Sequence, residues 1–166
     1  SNLTELMVDD SPIPPTPTST AALQVNLDST VEVNAEPFDP TKPGETSDYQ
    51  SSMSVYDATG ASYQVDVYYK KTGNGQWEYH VLTDGSNVEG GTEGENAVLT
   101  PASNTLTFDD AGILTTTPAS FNLDFTPVGA AAAQQINVDL AGSSQWAEES
   151  VLKDLDVDGS QSGTFQ

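Results

Sequence analysis

Residues 49–82 read YQSSMSVYDATGASYQVDVYYKKTGNGQWEYHVL, and their alternation decides the fold. Met53 and Val55 share one face of an extended segment, with Asp57 at its end. Asp57-Ala58-Thr59-Gly60 supplies a turn, after which Tyr63, Val65, Val67 and Tyr69 recur at every second position. Alternate side chains of a strand point to opposite faces, so these residues line one buried face. Thr72-Gly73-Asn74-Gly75 then marks a hairpin, because Asn and Gly tolerate the positive φ that primed turns demand. Trp77, Tyr79 and Val81 follow as the next inward face. Three consecutive strands in a meander are predicted.

The same period extends outward on both sides. Upstream, Leu23, Val25 and Leu27 alternate with Gln24 and Asn26, and Val31 and Val33 flank Glu32. Both stretches read as half-buried strands. Pro37, Pro40, Pro43 and Gly44 make a loop from which Phe38 reaches back toward the core. Downstream, residues 84–96 hold four Gly and three Glu and read as a polar, mobile loop. Leu106 and Phe108 precede the turn Asp109-Asp110-Ala111-Gly112 and the pair Ile113-Leu114. Phe121, Leu123 and Phe125 alternate again, as do Ile136, Val138 and Leu140. Two stretches suggest helix: one turn at Ala130–Ala133, and Trp146–Leu155, where Trp146, Val151, Leu152 and Leu155 are unevenly spaced.

About eight short strands punctuated by Gly and Pro define the fold class. It is all-β, an antiparallel β-sandwich or small β-barrel with an extended N-terminal connector. Residues 1–20 form that connector: Leu3, Leu6, Met7 and Val8 precede Pro12, Pro14, Pro15 and Pro17, a spacing that forbids a helix. Residues 21–142 form the β domain. Residues 143–166 are a return segment, packing on that domain or entering a neighbouring one. The start at Ser1-Asn2, without Met, reads as a tag-cleavage remnant on an excised segment.

Charge narrows the function. The chain of 166 residues carries 25 acidic and 4 basic residues, a net charge of −21. Such a surface repels phosphate backbones and anionic lipid, so neither nucleic acid nor membrane is an expected partner. The plain reading is a solvated surface suited to a salty medium. With no Cys, thiolate metal sites, thiol nucleophiles and disulfides are excluded. No apolar run approaches the length of a membrane span.

Few residues offer chemistry. His80 is the only histidine, on the strand face opposite Trp77, Tyr79 and Val81. It could serve as a general base with a Ser and an Asp from elsewhere, but no nucleophile-elbow pattern accompanies it. A surface strand residue is the simpler reading. Asp154, Asp156 and Asp158, followed by Gly159, match the first half of a calcium loop. The second half departs: Phe165 stands where a bidentate Glu belongs, and Ser162 precedes it. Gly90-Gly91-Thr92-Glu93-Gly94 lacks the Lys of a phosphate loop and is surrounded by Glu. No catalytic, cofactor-binding or metal-ligating residue is assigned, and no cofactor is expected.

The strands also carry a resemblance. Ser54-Val55-Tyr56-Asp57-Ala58-Thr59-Gly60, then Val65-Asp66-Val67-Tyr68-Tyr69-Lys70-Lys71-Thr72 and Trp77, resemble the central region of bacterial flagellar hook proteins. Leu106 to Gly112 and Phe121 to Phe125 are similar to later segments of that family, and Ala21 to Asp28 to its first strand. Asp158-Gly159 with Gly163 is similar to its closing motif, a second account of the acidic turn. Ala61, Ser62 and Ser160 depart from the common pattern, as does the acidity.

The resemblance implies a non-enzymatic, outer β-region of the hook subunit, the universal joint that passes torque from basal body to filament. It implies copies of itself as partners in a helical tube, together with rod, hook cap and hook–filament junction proteins. It further implies an extracellular location reached through the flagellar export apparatus, and an isolated fragment that is monomeric. The alternatives are an extracellular β-sandwich binding module, an adhesin or carbohydrate-binding domain with or without calcium, and a hydrolase using His80.

Overall fold

The strands of the computed structural model, which describes residues 12–161 with 163 and 164, follow the alternation closely. They are β1 (Pro12–Ile13), β2 (Thr20–Asn26), β3 (Tyr49–Tyr56), β4 (Ser62–Gly73), β5 (Gln76–Asp84) and β6 (Asn96–Val98). The remainder are β7 (Thr105–Thr107), β8 (Ser120–Phe125), β9 (Gln134–Asp139), β10 (Val151–Val157) and β11 (Gly163–Thr164).

The meander of residues 49–82 forms one sheet, in the order β3-β4-β5-β6, with β7 flanking the first half of β5. The second sheet runs β10-β2-β9-β8. The two sheets share one core, so the fold is a sandwich and not a closed barrel. Its pairs are antiparallel except β2 with β9, which is parallel. Leu23, Val25, Ile136, Val138, Leu123 and Phe125 project inward from one sheet, and Val55, Val65, Val67, Tyr69, Trp77 and Val81 from the other. Between them Tyr79 stacks on Phe121 with ring centroids 4.6 Å apart, and Tyr63 meets Phe125 edge-on at 5.3 Å. Trp77 is wholly buried, and its indole Nε1 donates to Gln145 Oε1 at 2.6 Å.

Several expectations are corrected. The hairpin between β4 and β5 does not use a primed turn with two positive φ angles: only Gly75 has one, at 69°. A bulge between Lys71 and Gly73 takes up the difference in register. A side chain at Gly75 would also meet the Phe108 carbonyl oxygen at 2.8 Å. Val31 and Val33 form no strand. The carbonyls of that stretch bond to lysines instead of a neighbouring strand: Lys71 Nζ donates to Ser29 O and Val31 O at 2.9 Å, and Lys70 Nζ donates to Asn34 O.

Phe38 does not enter the core. It stacks on His80, 3.9 Å between ring centroids, across the outer face of β4 and β5. The glycine-rich stretch after β5 is pinned down: Gly85 N donates to Glu95 O at 2.7 Å, and a Cβ on Gly85 would sit 2.1 Å from Thr92 O.

Neither helix suggestion holds. Residues 130–133 form no helical turn, and the second half of 146–155 belongs to strand β10. A bulge between Leu152 and Asp154 explains the uneven spacing. Leu152, Leu155 and Val157 lie opposite Val25, Leu23 and Ala21, all core-facing positions of β2. One inserted residue has shifted the period of two, so the apolar positions cannot read as a strand in the sequence.

Two substitutions test this core. Trp77→Ala is expected to cost about 3–5 kcal/mol in urea denaturation, as for other buried Trp truncations. Gln145→Ala, which leaves the indole N–H without an acceptor, is expected to cost about 1–3 kcal/mol.

Candidate functional site

The most densely bonded polar group lies where the chain enters and leaves the sandwich. The connector runs extended from Pro12, pairs as β1 with β11, and bridges Thr16 to Ser160 before joining β2. Its last residues are then gripped. Thr18 is almost wholly buried; its N–H donates to Tyr56 O at 2.9 Å, and its hydroxyl accepts from Tyr56 N and donates to Asp158 O, both at 2.9 Å. One threonine thus ties the end of β3, in one sheet, to the end of β10, in the other. Gln134 Nε2 completes the clasp by donating to Thr18 O and Tyr56 O at 2.8 Å.

Asp158 anchors the other half. Its carboxylate accepts from Ser19 N at 2.7 Å, Ser19 Oγ at 2.7 Å and Thr20 N at 2.9 Å. Partial burial pushes this carboxyl up, but the donors at Thr20 and Ser19 outweigh it and hold it below the usual carboxylate value. Gly159 lies close behind, with φ at 92°.

Asp57 plays a similar part in the turn that follows β3, next to Tyr56. Oδ1 accepts from Thr59 N, Thr59 Oγ1 and Ala61 N, and Oδ2 accepts from Tyr63 OH at 2.8 Å. Burial raises this carboxyl, yet the bonds from Thr59, Tyr63 and Ala61 together bring it below the ordinary value. The turn at Asp109 repeats the pattern, with Ala111 N and Ile113 N both donating to Oδ1 at 2.9 Å. Asp28, Asp39 and Asp84 cap turns in the same way, through Thr30, Thr41 and Ser86. Much of the acidity therefore serves local structure: a short carboxylate can satisfy backbone N–H groups that a turn would leave bare.

The residues singled out for chemistry are placed otherwise. His80 lies on the outer face of β5, half-covered by Phe38. Its Nε2 is 3.1 Å from Glu78 Oε1 but out of line for a hydrogen bond, and no hydroxyl partners it among the described residues. Asp154 and Asp156 project from a paired strand and not from a loop, and Asp158 is taken up by Ser19 and Thr20. Among the described residues no three His, Asp or Glu side chains converge as metal ligands. Ser162 and Phe165, the second half of the calcium-loop comparison, lie outside the described residues.

An apolar groove of about 460 Å³ opens beside the clasp, lined by Pro17, Tyr63, Pro127, Ala130 and Gln134 among others. A second, of about 370 Å³, lies at one end of the sandwich between Tyr79, Thr116, Pro118 and Phe121. Neither lining holds a histidine or a pair of carboxylates. Among the described residues no helix is long and apolar enough to cross a membrane. Nothing in the pattern of the sequence marks Thr18, Ser19 or Gln134 as a bonded group. Only the Asp158-Gly159 pair hints at a tight turn there.

Two sheets over one core, with their first and last strands clasped together at one end, define a β-sandwich module. The family model described as the flagellar basal body protein FlaE D2 domain matches residues 26–160, and the chain belongs to that family. No curated protein matches the sequence significantly. Among solved structures, the fold is similar to a 32 kDa fragment of the flagellar hook protein FlgE from Caulobacter crescentus. The identity is 18%, the TM-score 0.51, and the match covers 68% of this chain and 46% of that one. The flagellar hook protein FlgE2 of Helicobacter pylori matches at 19% identity and a TM-score of 0.45, over 71% of this chain and 26% of that one. The chain thus spans less than half the length of either.

Asp158→Ala should lower stability by about 1–2 kcal/mol, the modest value of charged hydrogen bonds that are open to water. With ionic strength held constant, added calcium should change the melting temperature of neither form. For Asp57, whose carboxyl is held low in the folded state, the stabilisation is complete above the ordinary Asp range and is lost as pH falls through the folded value. The stability gap between wild type and Asp57→Asn should therefore be widest near neutral pH. It should shrink below about pH 4 in denaturant titrations repeated across pH.

Proposed function

We propose that this chain is an outer β-domain of a flagellar hook subunit, acting by shape and attachment and not by catalysis. The observation that carries the proposal is the family match over residues 26–160, most of the sandwich. The clasp supports it. A domain that transmits force through packing needs its orientation fixed at the point where it joins the chain. Here Thr18 and Asp158 hold both connecting strands against both sheets. The residues from 1 to 20 and from 143 to 166 then serve as connector and return segment around the β domain of 21–142.

In this reading the partners are copies of the same subunit, packed laterally in the helical tube that bends as a universal joint between basal body and filament. Rod, hook cap and hook–filament junction proteins adjoin that tube at its ends. The subunit reaches its place outside the cell through the flagellar export apparatus, which passes unfolded chains. The absence of cysteine suits such a route, since no disulfide has to form after export.

Antibodies raised against this chain, used with gold labelling in electron microscopy of the source bacterium, test the reading. The proposal expects gold along the short curved segment between the cell body and the filament. Gold scattered over the cell surface would instead favour an adhesin or carbohydrate-binding module and would sink the proposal.

A further inference from the structure

The charge of the chain has an unusual internal distribution. Against 25 carboxylates stand only Lys42, Lys70, Lys71 and Lys153, with no Arg. Three of the four lysines are hydrogen-bond donors to uncharged groups. Lys70 and Lys71 are 4% and 7% exposed and bind the backbone carbonyls of Asn34, Ser29 and Val31. Lys153 Nζ donates to Gly142 O at 2.9 Å and to Ser144 Oγ at 3.0 Å, and lies 4.7 Å from the centre of the Trp146 ring. Among the described residues no lysine comes within 4.0 Å of a carboxylate, and the one close pair of opposite potential charge is His80 with Glu78. Lys70, Lys71 and Lys153 therefore hold loops in place, and among the described residues no lysine neutralises an acid at contact.

The carboxylates are spread over the molecule. Asp57 is buried, whereas Glu93, Asp124, Glu149, Asp154 and Asp156 are exposed on loops and on the outer faces of β8 and β10. Among the described residues no three of them converge as metal ligands. Nor can protonation near neutral pH relieve the turn aspartates, because hydroxyl and backbone donors at Thr30, Thr41 and Ser86 hold Asp28, Asp39 and Asp84 below the usual carboxylate value. Like charges at this density oppose the compact state and favour the expanded one. That repulsion reaches about 30 Å at 0.01 M salt, about the size of a domain, but only about 3 Å at 1 M.

We propose that the folded domain depends on the ionic strength of its surroundings. Inorganic cations, held diffusely over the whole surface by charge alone, supply the countercharge that the protein's own lysines do not. Salt then strengthens the fold, the reverse of what is expected where surface ion pairs contribute. This inference stands apart from the hook assignment, because it concerns the stability of the chain by itself.

The test is the melting temperature of the whole chain at neutral pH in NaCl and in KCl, from about 10 mM to about 1 M, the range over which screening changes most. We expect a continuous rise with salt, equal for the two cations and about 10 °C or more in total. The combined variant Glu93→Gln, Glu149→Gln, Asp154→Asn, Asp156→Asn should melt higher than wild type in low salt and respond less to added salt. A melting temperature that is flat or falls with NaCl would overturn the proposal. So would a response that saturates at low calcium and disappears in Asp156→Asn alone, which would mean a discrete site. An effect seen with sulfate but missing with chloride would also overturn it, since sulfate acts by exclusion from the surface.

Discussion

Strand β2 is the constraint on which the rest of the structure depends. It is paired on one side with β10, near the C-terminal end of the described chain, and on the other with β9 in parallel. Ala21, Leu23 and Val25 lie on its inward face, with Leu27 buried just beyond it. The sheet β3-β4-β5 is a local meander and could form from neighbouring residues. The opposing sheet cannot, because β2 must wait for partners that lie more than a hundred residues away in the chain. Loop-closure entropy opposes such pairings until the core contacts repay it. The burial of Leu23, Val25 and Leu27 in the core that also holds Trp77 and Val81 is what makes that closure worthwhile.

The clasp follows from the same strand. Because β2 starts beside the end of β10, the incoming connector and the outgoing chain are brought together at one edge. Thr18, Ser19 and Asp158 can then bond across the gap. The loops obey the same logic at the other end of β4. There Lys70 and Lys71 point to opposite faces of a strand and gather the carbonyls of residues 29–34. A long loop with few apolar residues is held to the sandwich by two ammonium groups, each exchanging water for backbone carbonyls. Both devices turn polar side chains into fasteners between segments that hydrophobic burial alone would leave loose.

The legibility of the sequence tracks these causes. The meander could be read directly, since Tyr63 to Tyr69 and Trp77 to Val81 each keep a strict period of two against one sealed face. The turns at Asp57 and Asp109 were equally plain, because Asp and Gly stand where a turn needs an acceptor and a positive φ. Strand β10 was hidden by its bulge, which put Leu152 and Leu155 three apart and made a helix look as reasonable as a strand. Val31 and Val33 misled for the opposite reason: their alternation is real, but the carbonyls of that stretch bond to Lys70 and Lys71 and not to a neighbouring strand. The clasp was invisible, because hydrogen bonds across some 140 residues leave no local signature. Family membership was legible through the order of several weak motifs, none of which is decisive singly.

The central claim is that β2 fuses the two halves of the chain into one cooperative unit. Native-state amide hydrogen exchange at Leu23 and Val25, compared with Tyr68 and Tyr79 in the meander, tests it most directly. If β2 is the closing element, all four amides should exchange only through global unfolding, with the same opening free energy and the same dependence on denaturant. If instead Leu23 and Val25 open at markedly lower free energy while Tyr68 and Tyr79 stay protected, the meander is the stable unit and the second sheet is an attachment to it. That result would contradict the account.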